Sequence, residues 1–222
     1  ATMAGLRAKL ETAQHKFESS LASVDQELAR VSAEWDVALD SGADVCLITS
    51  PTALTPPVGA RVVKVNSAEE MLNAVLAESA DALIMAAAAA DFRPKTIAKD
   101  KMKKRDGIPQ IELEAAPDIL KTVSSSLLGA GSGLGSEKKR FHVMVGFAAE
   151  SQDLLENASE KLKSKQLDFI AANDISANDA GFAADTNRVT LLFANGTKET
   201  LPLMSKMDVA EKIIEYTVKL LE

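Results

Sequence analysis

One cysteine and two histidines are all that 222 residues offer toward soft metal ligation or crosslinking. Cys46 has no second thiol to pair with, so an internal disulfide is excluded, and with so few ligands a structural zinc site is set aside; no metal ligand is assigned. The thiol lies in a short apolar run, 45–49, where it reads as a small buried hydrophobe. No apolar stretch approaches the roughly 20 residues of a membrane span. The first residues lack a basic region followed by an apolar core, so secretion is not indicated and a cytoplasmic location is expected. A net charge of −7 argues against general nucleic-acid binding. No Gly-x-Gly-x-x-Gly follows a strand-like run, which counts against a dinucleotide site. Gly129-Ala130-Gly131-Ser132-Gly133-Leu134-Gly135 does not repair that lack. It follows a helical pattern and precedes a strand, the reverse of what a phosphate loop needs, and reads as a linker.

What is present is an ordinary globular composition, 46% hydrophobic and 26% charged. Two regions are expected. In residues 1–41, Leu10, Phe17, Leu21, Val24, Leu28, Val31, Trp35 and Ala38 recur at spacings of three and four, with Gln14 filling the one gap. That is a heptad seam, and it predicts one long helix closed by Ser41-Gly42. Such a helix would be roughly 55 Å long, too long to pack wholly on a domain of this size. It is either a coiled-coil extension or a hairpin broken near Ser19-Ser20. Residues 42–222 then alternate strand and helix. Strands are expected at 45–49, 61–65, 83–89, 142–145 and 169–172, with a short extended piece at 111–113. Helices are expected at 68–79 (capped by Ser67 with Glu70 completing a capping box), from Pro117, at 151–165 and at 205–221. Asn195-Gly196 between 189–193 and 199–201 is a hairpin signal. The fold class is therefore α/β: a Rossmann-like, mainly parallel sheet with helices on both faces, an antiparallel C-terminal hairpin and the long N-terminal helix.

Charge is the other conspicuous feature. Residues 93–105 carry seven cations (Arg93, Lys95, Lys99, Lys101, Lys103, Lys104 and Arg105) against one anion, Asp100. They follow an apolar strand that ends near Asp91, and Pro94 is expected to block further regular pairing. A basic loop beyond the carboxyl end of a parallel strand is suited to an anionic ligand. Ala90-Asp91, Gly146-Phe147 and Asn173-Asp174 each read as a polar tip after an apolar strand, and parallel pairing would bring all three to one rim.

Ala86 through Pro94, Lys101-Met102-Lys103-Lys104, Pro117-Asp118-Ile119-Leu120, Val145 through Glu150 and Ala172-Asn173-Asp174, in this order, resemble the bacterial phosphopantothenate–cysteine ligase family, over roughly residues 34–221. The resemblance implies a CTP-dependent ligase of coenzyme A biosynthesis that joins 4′-phosphopantothenate to cysteine through an acyl-cytidylate, with Mg²⁺ accompanying the triphosphate. It implies a nucleotide pocket at Met85, Ala86, Ala87, Asp91, Pro117, Asp118, Ile119, Leu120 and Phe147, reached by Lys161 and Lys165 from one helical face. It makes Lys101 the catalytic residue, neutralising charge on the reacting phosphates, with Lys103, Lys104 and Asn173 in the substrate and phosphate loop. It also implies a homodimer and a flavin-dependent decarboxylase as partner. The family opens with a strand, a glycine-rich loop and an asparagine-bearing segment, and none of these is found here. A relative that keeps only nucleotide binding or an assembly role is therefore the alternative reading.

Overall fold

The computed structural model describes residues 36–52, 55–96, 110–128, 141–150, 153–174 and 186–222. The heptad region 1–35, the lysine run with Lys101, Lys103 and Lys104, and the linker 129–135 lie outside the described residues, so those expectations stay as stated. Residues 36–40 are helical, and the predicted stop is there in full. The Ala43 amide donates to the Ala38 carbonyl (3.0 Å) and the Gly42 amide to the Leu39 carbonyl (2.9 Å), with Gly42 at φ +84°. This is a Schellman closure, and it needs a residue that tolerates the left-handed region.

Strands β1 (Cys46–Thr49) and β2 (Arg61–Lys64) form a parallel pair of their own. Helix α1 (Ala68–Ala77) leads to β3 (Ala82–Met85), a ribbon of β4 (Phe92–Pro94) and β5 (Leu113–Ala115), and α2 (Ile119–Leu128). Then come β6 (Val143–Glu150), α3 (Leu154–Ser164), β7 (Phe169–Asp174), β8 (Thr186–Asn187), β9 (Val189–Phe193), β10 (Lys198–Thr200), β11 (Met204–Ser205) and α4 (Lys206–Leu221). The main sheet is five-stranded in the order β10-β9-β7-β6-β3, parallel across β3, β6 and β7 and antiparallel from β7 outward. The predicted hairpin at Asn195-Gly196 forms its far edge. β8 and β11 pair separately.

Helices cover both faces, as alternation along the strands requires. Met144, Ala148, Ile170 and Ala172 point into a core with α1, α2 and α3, through Val75, Ile119, Leu120, Val123 and Leu162. Val143, Val145, Phe169, Ala171 and Leu191 point the other way, onto Val209 and Ile213 of α4.

Several boundaries differ from expectation for identifiable reasons. β3 stops at Met85, four residues short, and Ala87, Ala88, Ala89 and Ala90 are exposed. A run of alanines buries too little surface to hold a strand without neighbours. β6 runs on to Glu150, carrying Gly146-Phe147 inside the strand instead of at its tip. α2 starts at Ile119 behind an Asp118 cap, so Pro117 precedes the helix instead of opening it. Pro94 is paired after all, opposite Leu113. The flanking rungs are hydrogen-bonded, Lys95 amide to Glu112 carbonyl (2.9 Å) and Ala116 amide to Asp91 carbonyl (2.8 Å). Alternation puts Pro94 at a rung without hydrogen bonds, where a missing N–H has no cost. At Ser67 the capping box is displaced by one residue: the Ser67 hydroxyl accepts from the Glu70 amide (3.1 Å), but the Glu70 carboxylate accepts from the Asn66 amide (2.7 Å).

Candidate functional site

Register decides which predicted residues meet. Met85, the last residue of β3, pairs with Gly146, which also pairs with Ile170 near the start of β7. The strands are parallel but staggered. Asn173 pairs with Ala149, three residues further along β6 than Gly146, which is roughly 10 Å at the usual rise per residue. The carboxyl ends share one edge of the sheet, as expected, but Gly146-Phe147 lies below it in mid-strand.

Gly146 is fixed by packing. A Cβ there would meet the Leu167 Cδ1 at 2.5 Å and the Leu120 Cδ1 at 3.6 Å. Met85 packs on the same core as Leu120 and Ile119, so these three residues of the predicted pocket share a wall. Phe147 does not join them. It belongs to the opposite face, with the core under α4. By strand alternation Asn173 lies on that face too; it is 5% exposed, and its Oδ1 has no partner among the described residues. The predicted pocket is thus divided by the sheet. Met85, Ile119 and Leu120 are on one side, and Phe147 and Asn173 are on the other.

The acidic residues come together through the ribbon. The Ala116–Asp91 backbone bond sets Asp91 beside the Pro117-Asp118 segment. Asp91 does not pair with Arg93, which bridges Glu69 (2.5 Å) in the first turn of α1 and Glu114 (2.8 Å) opposite it on β5. These carboxylates raise the Arg93 pKa further, by accepting hydrogen bonds from its guanidinium, Glu69 first and then Glu114. Asp91 is exposed and has no ion pair among the described residues. Asp118 caps α2 by accepting from the Lys121 amide at 3.2 Å, and the same oxygen lies 3.2 Å from the Lys165 ammonium. Two predicted ligand residues from different helices therefore meet. The stagger of β3 against β7 brings the end of α3 level with the start of α2. Lys161, one turn earlier, is half-buried on the same face of α3.

The lysine run joins β4 to β5, and its flanks are tied by the Lys95–Glu112 rung. The ribbon, and the acidic partners Glu69 and Glu114 that anchor it, lie outside the expectations drawn from the sequence. The charge alternation opposite Arg93 and Lys95 was the available signal. Elsewhere, a groove of about 760 Å³ runs between residues 36–40 and α4, lined by Val37, Met207, Ile214 and Val218 among others. None of the predicted site residues lines it. Among the described residues no three His, Cys, Asp or Glu side chains converge as a metal cage, and no helix is long and apolar enough to cross a membrane.

Residues 33–221 match the model of the DNA/pantothenate metabolism flavoprotein C-terminal domain family. The chain is 45% identical over 183 residues to the coenzyme A biosynthesis bifunctional protein CoaBC of Bacillus subtilis, a match covering 81% of this chain and 42% of that protein. It is 38% identical over 182 residues to CoaBC of Vibrio vulnificus, covering 80% of this chain and 42% of the relative. The crystal structure of the C-terminal domain of a CoaBC superposes with a TM-score of 0.66 at 34% identity, covering 86% of this chain and 82% of the other. The chain thus spans about two fifths of the length of the curated relatives it matches.

Proposed function

Because the chain belongs to the family of the DNA/pantothenate metabolism flavoprotein C-terminal domain, we propose that it is the ligase unit of coenzyme A biosynthesis, joining 4′-phosphopantothenate to cysteine with CTP. A carboxylate oxygen of phosphopantothenate attacks the α-phosphorus of CTP, and pyrophosphate leaves with the electron pair of the broken P–O bond. The cysteine amine then attacks the acyl carbon, CMP departs, and the amine proton is lost to give the amide. The observation that carries this reading is the junction at the carboxyl edge of β3. There a 2.8 Å backbone bond sets Asp91 beside the Pro117-Asp118 segment and a 3.2 Å ion pair joins Asp118 to Lys165, next to the described flanks of the β4–β5 connection, whose sequence is strongly basic.

The polar groups of this edge suit a nucleotide. Asp91 is free to accept from ribose hydroxyls, while Met85, Ala86, Ala87, Ile119 and Leu120 supply an apolar wall for the base. Lys165 can leave Asp118 for a phosphate, and Lys161 offers a second cation one turn away. Lys101 is assigned to the charge that builds on the α-phosphate and departing pyrophosphate, with Lys103 and Lys104 on the substrate phosphate. Mg²⁺ would be held mainly by phosphate oxygens and water, supplying charge neutralisation. A nucleotide reaching Phe147 and Asn173 has to lie across the strand ends, since these residues are on the other face. A flavin-dependent decarboxylase, fused or separate, is the expected partner.

Pyrophosphate release on mixing the chain with CTP and 4′-phosphopantothenate tests the reading. Lys101→Ala should lower turnover by at least about a hundredfold while CTP still binds; full turnover in that variant would remove the assigned role. The second reading is a relative that binds nucleotide without turnover, favoured by the heptad pattern standing where the family has its glycine-rich loop. Its signature is a CTP-dependent rise in Tm with no pyrophosphate.

A further inference from the structure

Among the described residues, two asparagines on the α4 side of the sheet carry buried amide atoms without hydrogen-bond partners. Asn187 of β8 is 1% exposed, and both its Oδ1 and its Nδ2 are unpartnered. Asn173 of β7 is 5% exposed, and its Oδ1 is in the same condition. Buried polar groups in native proteins are nearly always paired, so these three atoms require an explanation.

Register puts them together. Asn173 pairs with Val189, and the ladder continues through the Asp174 amide, which donates to the Arg188 carbonyl at 3.0 Å. Asn187, two residues before Val189, therefore lies on the same face, diagonally across from Asn173. Diagonal neighbours of an antiparallel pair are roughly 7–8 Å apart. Two asparagine side chains reaching toward each other leave room there for one small bridging molecule. The surroundings are apolar. Val189, Leu191, Leu201 and Val209 form the core beneath α4, and Met204, opposite Asn187 on β11, packs against it.

The unpartnered atoms specify what that molecule is. Two are acceptors and one is a donor. A cation would face the Asn187 Nδ2 hydrogens, and an anion would face two carbonyl oxygens. Water meets all three. It accepts from Asn187 Nδ2 and donates to Asn187 Oδ1, the cyclic arrangement a primary amide forms with one water, and its second proton goes to Asn173 Oδ1. Three hydrogen bonds are the usual complement of a buried water.

We propose that one buried water joins Asn187 to Asn173 and makes Asn187 a positioning residue for the carboxyl edge. The second water proton can be accepted by Asn173 Oδ1 but not by Nδ2, so the bridge fixes which way the Asn173 amide faces. Its Nδ2 is left as a donor toward the strand ends, one residue before the end of β7. A fixed N–H donor there suits an anionic oxygen. Without the bridge the amide can turn and present an acceptor, which repels phosphate. The inference rests on the reading that phosphate-bearing reactants lie across this edge.

Side-chain amide signals of the isotope-labelled whole chain test it, with Asn173→Ala and Asn187→Leu identifying the two amides. In the native chain the Asn187 amide should show a cross-peak to a long-lived water. In Asn187→Leu the Asn173 amide should exchange at least about tenfold faster. A structural role alone would lower stability in Asn187→Leu and leave the Asn173 signal where it was. CTP and 4′-phosphopantothenate are then titrated separately. At least one should shift the Asn173 amide, and should bind Asn187→Leu about three- to tenfold more weakly. Asn173→Ala should lose the same factor, with no further loss in the double variant. Absence of the water cross-peak in the native chain would overturn the proposal, and that measurement needs no variant to fold. So would an Asn173 signal unmoved by Asn187→Leu, or reactant shifts elsewhere in the spectrum with Asn173 still. No shift anywhere with either reactant would refute the nucleotide reading, and this inference with it.

Discussion

At the scale of single residues, Gly146 is the position with least freedom. Leu167 is 3% exposed, so its Cδ1 cannot retreat from a new methyl group without displacing Leu120 or Ile170. Gly146→Ala should destabilise the fold by about 1–3 kcal/mol in urea unfolding. Combining it with Leu167→Ala should cost less than the sum of the single changes, because the second change removes the clash. Glu215 makes a different prediction. It accepts from Lys212 at 2.7 Å and from Lys219 at 2.6 Å, and these bonds, Lys212 first, lower its pKa from 4.5 to about 2. The folded pKa is the lower one, so the carboxylate's contribution is present above pH 4.5 and is lost as pH falls toward 2. The stability difference between the native chain and Glu215→Gln should be flat above pH 4.5, vanish near pH 2, and shrink in 1 M salt because the ion pairs lie on the solvent-exposed surface.

At the scale of elements, capping decides where helices begin. Ser205 and Asp208 form the reciprocal box at the start of α4: the Ser205 hydroxyl accepts from the Asp208 amide (3.1 Å) and the Asp208 carboxylate from the Ser205 amide (3.2 Å). Ser205→Ala should cost about 0.5–2 kcal/mol in thermal or urea unfolding, with little change in the rest of the sheet. The same element was plain in the sequence, because Ser205 stands immediately before an amphipathic run without glycine or proline. The β4–β5 ribbon was not. A reading that stops at proline assumes every rung is hydrogen-bonded, and whether Pro94 falls on such a rung depends on a register set by Glu112 and Glu114, about twenty residues away. Phe147 shows the same limit for the site: Gly146-Phe147 is recognisable as a motif, but the face it presents follows from where β6 begins and ends.

At the scale of the whole molecule, alternation of strand and helix was sufficient for the layered architecture and for the shared carboxyl edge. It could not show the stagger of β3 against β7, which arises from register and from Asp168, whose amide donates to the Met144 carbonyl while its carboxylate accepts from the Met144 amide. The ribbon also leaves large apolar side chains in solvent. Phe92 is 65%, Ile111 59% and Leu113 61% exposed, an uncommon concentration for a surface meant to stay wet. A homodimer that buries this ribbon is the expected assembly. Sedimentation should show a dimer that Leu113→Asp weakens by at least about tenfold; a monomeric native chain at high concentration would remove both this interface and a coiled-coil extension.

The two margins of the main sheet are unlike in one further respect. β10 closes its side with three residues, two of them the charged Lys198 and Glu199, whereas β3 is aliphatic at all four positions and has no outer strand partner among the described residues. Charge on a short strand discourages stacking and its absence invites it. If this chain is stored concentrated, ordered deposits should nucleate and lengthen from one flank only, and a lysine placed on that flank should keep the solution clear for longer.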